Sequence, residues 1–441
     1  MFAVKPRRLP GRLALVLPAA LVLAGCAGSP GPAADVRNRG SAGRGDSSGE
    51  IGERRPDPWE SADLALVAGQ QPLPGRQWHS LVWDPAGARL VLFGGQGGAQ
   101  DYGDVWLLAQ EDGVWPWARL QVSGVGPSPR HGHTAVWDAA AGRMIVFGGR
   151  DGSLAYLDDL WELSESGGSW TWRPLVPSGG GPSGRWGHTA VWDAPSRTMI
   201  VFGGRDAAAA RNAVWLLSES GGAWTWTSIA PSGSAPSARF LHAAAWDEAS
   251  GRMLAYGGGV GGMACCDDAW QLTKTGGTWA WTALAPGGPR PPGMYDHAAV
   301  WAPAHQSMLV FGGRVQASPY TTNAVWALSR DGAAWTWSPL APSGTAPAAR
   351  TGHRAAWDPQ NGRMFIGGGY ASGYAADVWE LSRPDGQRSS PADRRRPARG
   401  RARAAGQRHA RGSSRGGQRG ALPARSPEPP RLLAAGCAAA P

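Results

Sequence analysis

Six histidines recur at His79, His133, His188, His242, His297 and His353, separated by 54, 55, 54, 55 and 56 residues. Imidazole ligates metals and moves protons, so six copies look like a coordination set. A metal site, however, needs three or four donors within about 2 Å of one ion, and copies on successive repeats are spread around a ring. The expectation is six structural histidines, each hydrogen-bonded within its own repeat, with no metal and no cofactor. An arginine a few residues ahead in five copies (Arg76, Arg130, Arg185, Arg239, Arg350) reads the same way, and the fifth copy replaces it with RPPGMYDH.

The segments that differ between copies are better places for chemistry, because binding residues tend to sit on loops held by a rigid scaffold. Arg150, Arg205 and Arg314 each follow a Gly-Gly pair. If these segments share one face, the three guanidiniums can converge near an axis and attract an anion or an acidic sugar; the plainer use is pairing with nearby Asp or carbonyls. Cys265 and Cys266 are adjacent in the fourth such segment, as a vicinal disulfide or as two free thiols.

These residues are positioned by a repeat of 54 to 56 residues, seen well in RHGHTAVWDAAAGRMIVFGGRDGSLAYLDDLWELSESGGSWTWRPL, residues 130–175. HTAVWD, RMIVFGG, DDLWELS and SWTWRPL are short β-rich runs punctuated by Gly, which is what a four-stranded antiparallel sheet requires. The Gly-Gly pairs are read at Gly94, Gly148, Gly203, Gly257, Gly312 and Gly367. Six copies of four strands point to blades around an axis. Of 25 tryptophans, 22 fall at fixed positions of the repeat. Residues two apart on a strand face the same way, so each Trp-x-Trp pair paves one face of its blade. Packing between blades is their expected role, and a sugar platform is the other use of such rings.

The sixth copy stops after its third strand, ADVWELS. Near the N-terminus, Ser61 to Arg76 aligns without gaps on Trp115 to Arg130, placing Leu66 at the position of Leu120. This extra fourth strand would complete the sixth blade and seal the ring. The alternative is seven blades, the last lost to a shifted reading frame between residues 387 and 441.

Charge is confined to the ends. The net +10 lies between Pro384 and Pro441, and Cys26 to Arg383 sums to about −4. A nucleic-acid footprint on the repeat region is therefore not expected. Residues 384–441 read as an Arg-rich tail, either a basic tail for anionic lipopolysaccharide or nucleic acid, or a non-native end. Residues 1–25 have the basic, apolar and small-residue layout of a secretory signal. Its ending, LAGC, resembles the bacterial lipoprotein signal, which implies lipidation of Cys26 and an outer-membrane location in the cell envelope. Residues 26–58 read as a disordered tether.

An apolar strand ending in Gly-Gly, a variable loop, an aromatic strand and a tryptophan resemble the kelch repeat over about residues 61 to 383. The resemblance implies an all-β fold, a six-bladed kelch-type β-propeller over residues 59–383. Its first functional implication is a non-catalytic, monomeric binding module presenting loops to a protein or glycan of the envelope, held to the membrane by its lipid. The kelch type also includes copper-dependent galactose oxidases and a bacterial sialic acid mutarotase, which makes a carbohydrate-active enzyme the alternative. The oxidases use a cysteine-crosslinked tyrosine with Tyr and His ligands; this chain has seven Tyr and no matching group outside its repeats.

Overall fold

A computed structural model describes Trp59 and residues 62–68, 72–261 and 264–383. The expectations for residues 1–25, Cys26, 26–58 and 384–441 lie outside the described residues. Six sheets of four antiparallel strands are arranged as blades, numbered here in chain order. In blade 2 the strands are Thr134–Asp138, Arg143–Asp151, Tyr156–Ser166 and Ser169–Leu175, paired in that order. The first lines the axis and the fourth is outermost. The second-to-third loops and the blade connections share one end of the strands, called here the collar face. The two hairpins of each blade lie at the far face.

Blade 6 joins Arg354–Asp358, Arg363–Gly367 and Val378–Ser382 to the N-terminal strand Asp63–Ala68, which pairs antiparallel with Val378–Ser382. Six blades close the ring, and the seven-blade alternative is overturned. The ungapped alignment of that strand needs correction. Leu64, buried opposite Leu381, occupies the place that Trp117 takes opposite Leu108 in blade 1. A bulge between Leu66 and Ala68 then puts Ala68, not Leu66, at the position of Leu120, and Leu66 is exposed.

An outermost strand exposes unpaired backbone groups. Here the segment leaving one blade adds a short parallel bridge to the outer strand of the next: Val122–Ser123 on blade 2, Ser178 on blade 3, Ser232 on blade 4, Gly287 on blade 5 and Ser343–Gly344 on blade 6.

The apolar core lies between blades. Each of six buried clusters joins two neighbours, as where Val91, Phe93 and Val105 of blade 1 meet Met144, Trp170 and Trp172 of blade 2. In blades 2 to 5 the second Trp of the Trp-x-Trp pair packs against the preceding blade's aromatic, with centroids 5.0 Å apart for Trp172 and Phe93 and 5.1 Å for Trp226 and Phe147. Burying one such ring contributes about 5 kcal/mol before the entropic cost, taking ~200 Å² at ~25 cal/mol/Å².

The sixth Gly-Gly pair is Gly368 and Gly369, not Gly367. Gly367 ends the second strand, where the other blades carry Phe93, Phe147, Phe202, Tyr256 and Phe311. The missing ring is compensated across the interface. A Cβ on Gly367 would lie 3.2 Å from Leu81 Cδ2, and Leu81 stands where the other first strands have Ala135, Ala190, Ala244, Ala299 and Ala355. The blade's aromatic has moved two residues along the same face to Phe365, whose ring stacks on Trp83 at 5.5 Å.

Candidate functional site

The recurrent histidines are buried and structural, and all but His79 bond between blades rather than within them. His133 Nε2 lies 3.1 Å from Ser80 Oγ of blade 1, and His188 and His242 Nε2 lie 2.8 Å from Thr134 and Thr189 Oγ1 of their preceding blades. His353 Nε2 donates to Phe311 O at 3.0 Å. Every one of these imidazoles except His79 also packs on the preceding blade's ring, with centroids 5.0 Å apart for His133 and Phe93. This packing explains the Gly-Gly signature. A Cβ on Gly94 would come within 2.9 Å of His133 Cε1, and one on Gly95 within 2.8 Å of His79 Cβ. Burial holds all six imidazoles well below their usual pKa, His297 at about 3.

The arginines ahead of the histidines are structural within their blades. Arg130 Nη1 and Nη2 grip Asp159 at 2.6 and 2.7 Å, Nη1 also donates to Gly148 O, and Asp159 accepts from Trp161 Nε1. Arg76, Arg239 and Arg350 repeat this with Asp104, Asp268 and Asp377. Blade 5 lacks both members, with Met294 and Ala324 in their places. Blade 3 keeps Arg185 but has Ala213, and burial lowers that guanidinium's pKa to about 10. Ala213→Asp is expected to raise stability by about 1–2 kcal/mol by supplying charge-assisted hydrogen bonds to Arg185 and Trp215. Chemical denaturation measures it, and a fall in stability would count against this account.

The residue before each histidine forms a feature that sequence reading missed. Trp78 N donates to Gly352 O, Gly352 N to Asp296 O, Asp296 N to Leu241 O, Leu241 N to Gly187 O, Gly187 N to Gly132 O and Gly132 N to Trp78 O, at 2.7 to 3.1 Å. Six backbone hydrogen bonds thus close a collar around the axis. All six residues have left-handed φ, from 55° at Trp78 to 67° at Gly352. That conformation costs a non-glycine residue about 1–2 kcal/mol. Trp78, Leu241 and Asp296 bear this cost where glycine would not, as residues at functional positions do.

Around the collar lies a second ring: Gln77, His131, Trp186, Phe240, Tyr295 and Thr351. Each bridges in backbone to the residue after a Gly-Gly pair, respectively Gln96, Arg150, Arg205, Gly259, Arg314 and Tyr370. The three sequence-predicted arginines therefore share the collar face, distributed over blades 2, 3 and 5. The Arg150 guanidinium lies 4.8 Å from the Tyr156 ring centroid and 5.9 Å from that of Trp186; Arg205 lies 5.9 Å from Phe240. Arg314 is exposed. His131 Nδ1 meets Asp101 Oδ1 of the preceding blade at 2.9 Å. Of the three tryptophans outside the repeat pattern, Trp78 and Trp186 stand here, so those irregular tryptophans were the available signal. Cys266, in the loop of blade 4, is a half-buried free thiol whose pKa burial raises; of the Cys265 side chain nothing is described. Among the described residues, no three His, Cys, Asp or Glu side chains are grouped to hold a metal.

Beneath the collar is a cavity of about 150 Å³ lined by the starts of the first strands. Its positions after the histidines are Ser80, Thr134, Thr189, Ala243, Ala298 and Arg354. Five are small and one is arginine, a departure visible in the sequence but unread there. Arg354 Nη1 donates to His353 O at 2.9 Å and lies 3.9 Å from Asp296 Oδ1. Asp296 Oδ2 accepts from Trp78 Nε1 at 2.8 Å and Thr351 Oγ1 at 2.9 Å. Burial raises the Asp296 carboxyl above its ordinary range, against the pull of Arg354.

The profile of the KLHDC2/KLHL20/DRC7 Kelch-repeats domain matches residues 59–163, 114–280 and 276–409. The chain is 34% identical over 237 residues to serine/threonine-protein phosphatase BSL2 of Arabidopsis thaliana, covering 50% of this chain and 21% of that protein. It is 30% identical over 158 residues to the dynein alpha chain of the flagellar outer arm of Chlamydomonas reinhardtii, covering 34% of this chain and 3% of that one. It thus spans about a fifth or less of these relatives. The solved structure of YjhT superposes with a TM-score of 0.54 at 17% identity, covering 71% of this chain and 96% of YjhT, and shares the fold. With the profile covering well over half its length, the chain belongs to the kelch-repeat family.

Proposed function

We propose that this propeller is a non-catalytic binding module whose collar face takes a protein or glycan of a bacterial cell envelope, where lipidated Cys26 holds it. The observation that carries the reading is the two arginine–aromatic pairs of blades 2 and 3, Arg150 with Trp186 and Arg205 with Phe240, set on a hydrogen-bonded collar. Arg and Trp are over-represented among residues that dominate binding energy, and here little ordering entropy remains to be lost. The ligand chemistry that fits is acidic, a uronic or sialic acid or an acidic protein surface.

The purified chain is to be tested on an array of acidic and neutral glycans and against copper. A selective acidic-glycan hit, lost in the Arg150→Ala/Arg205→Ala variant and kept in Arg173→Ala on the outermost strand of blade 2, is expected. Stoichiometric copper, or binding indifferent to the collar-face variant, would sink the reading. For the anchor, mass spectrometry should find diacylglyceryl on Cys26, and Cys26→Ser should release the protein from membranes.

Asp296 favours a second reading, a carbohydrate-active enzyme, because a carboxyl with raised pKa at a cavity is a common mark of acid–base chemistry. Exchange of sialic acid anomers followed by NMR decides it: acceleration lost in Asp296→Asn supports the enzyme, and an unchanged rate refutes that activity.

A further inference from the structure

We propose that the axial cavity beneath the collar is a binding site for one small oxyanion, a carboxylate, sulfate or phosphate, held between Arg354 and the hydroxyls of Thr134 and Thr189. This site is separate from the collar-face surface and does not depend on it.

The first support is how the guanidinium is partnered. Arg76, Arg130, Arg239 and Arg350 are each satisfied by a carboxylate, a glycine carbonyl and a nearby backbone oxygen. Arg354 makes one hydrogen bond, to His353 O, and its carboxylate neighbour stands at 3.9 Å, beyond hydrogen-bonding reach. A guanidinium carries five N–H donors, so most of its capacity faces the cavity it lines. Asp296 is no full counter-ion, because its other oxygen is committed to Trp78 and Thr351.

The second support is the direction of the hydroxyl protons. His353 Nε2 faces a carbonyl, so it carries the proton, and the matching positions of His133, His188 and His242 assign the same tautomer. Each then donates to its hydroxyl oxygen, which leaves the O–H of Thr134 and Thr189 to donate into the cavity, whereas that of Ser80 is directed to Phe93 O. Thr189 of blade 3 is three blades from Arg354 of blade 6, across the axis. Donors from opposite walls suit an oxyanion, and the acidic group on the lining, Asp296, has its carboxyl held above its ordinary range by burial. The cavity's volume of about 150 Å³ accommodates sulfate, phosphate or acetate.

The test measures sulfate, phosphate and acetate binding to the purified chain by calorimetry and thermal unfolding, against chloride at equal ionic strength. Saturable binding of one ion per chain is expected, weakened at least tenfold in Arg354→Gln and severalfold in Thr189→Val. Tighter binding of the tetrahedral ions points to phosphate or sulfate, and tighter acetate binding to a small organic acid. Should Arg354→Gln fail to fold, anomalous scattering from selenate soaked into crystals of the unaltered chain locates the ion. Stabilisation matched by chloride, affinity unchanged in the variants, or selenate elsewhere would each overturn the proposal.

Discussion

Lowering the pH from 7 to 5 is expected to bring the ring to the edge of unfolding, with uptake of about six protons. The six interblade histidines are buried and held neutral. An unfolded imidazole titrates near 6.5. Above that value both states are neutral and these groups add no pH dependence. Below it the unfolded chain binds protons that the folded chain refuses, so stability falls until the folded pKa values are reached, about 3 for His297. At pH 5 the loss is about 2 kcal/mol per histidine, and about 12 kcal/mol for six, against typical total stabilities of ~5–15 kcal/mol. Denaturant titrations at pH 7, 6 and 5 measure the slope directly. A stability that is flat over this range, or uptake below two protons, would show that the histidines are not held neutral.

Leu81→Ala is expected to cost about 2–5 kcal/mol, more than an isolated trimming at the rim of a channel would suggest, because Leu81 fills the space of the ring absent at Gly367. Gly367→Phe alone overpacks the same interface and should also destabilise, by about 1–3 kcal/mol. Together the two changes rebuild the aromatic-against-Ala contact of the other five interfaces and give His79 an aromatic neighbour like that of His133. The double variant should therefore be more stable than the sum of the singles by at least about 1 kcal/mol, which a double-mutant cycle reads. Strict additivity would show that Leu81 and Gly367 do not compensate one another.

The blade count, the strand order and the sealing strand were legible because each blade repeats one pattern, and a six-fold repetition averages out local ambiguity. The same averaging concealed the site. His79 to His353 were recognised as structural, but their partners lie one repeat away, and spacing alone does not say whether a side chain turns inward or toward its neighbour. In sequence Gly367 reads as half of a Gly-Gly pair because three glycines stand in a row. Trp78, Leu241, Asp296 and Arg354 break the pattern, each in one copy only. Such departures carry the chemistry in a repeat protein, since shared residues build the scaffold and only the exceptions can make one point of a symmetric ring differ from another. Arg150, Arg205 and Arg314 were found because they were sought as exceptions in variable loops; Arg354 was not, because it sits in a strand.

The closure of blade 6 has a consequence for orientation. Asp63 pairs with Ser382, so the propeller's first and last strands meet at the end of the sheet away from the collar, and Trp59 packs there against His305 in the turn of blade 5. The described chain thus enters and leaves the propeller on that underside, at a single blade. Neither its entry nor its exit crosses the collar face, which is left clear for a partner.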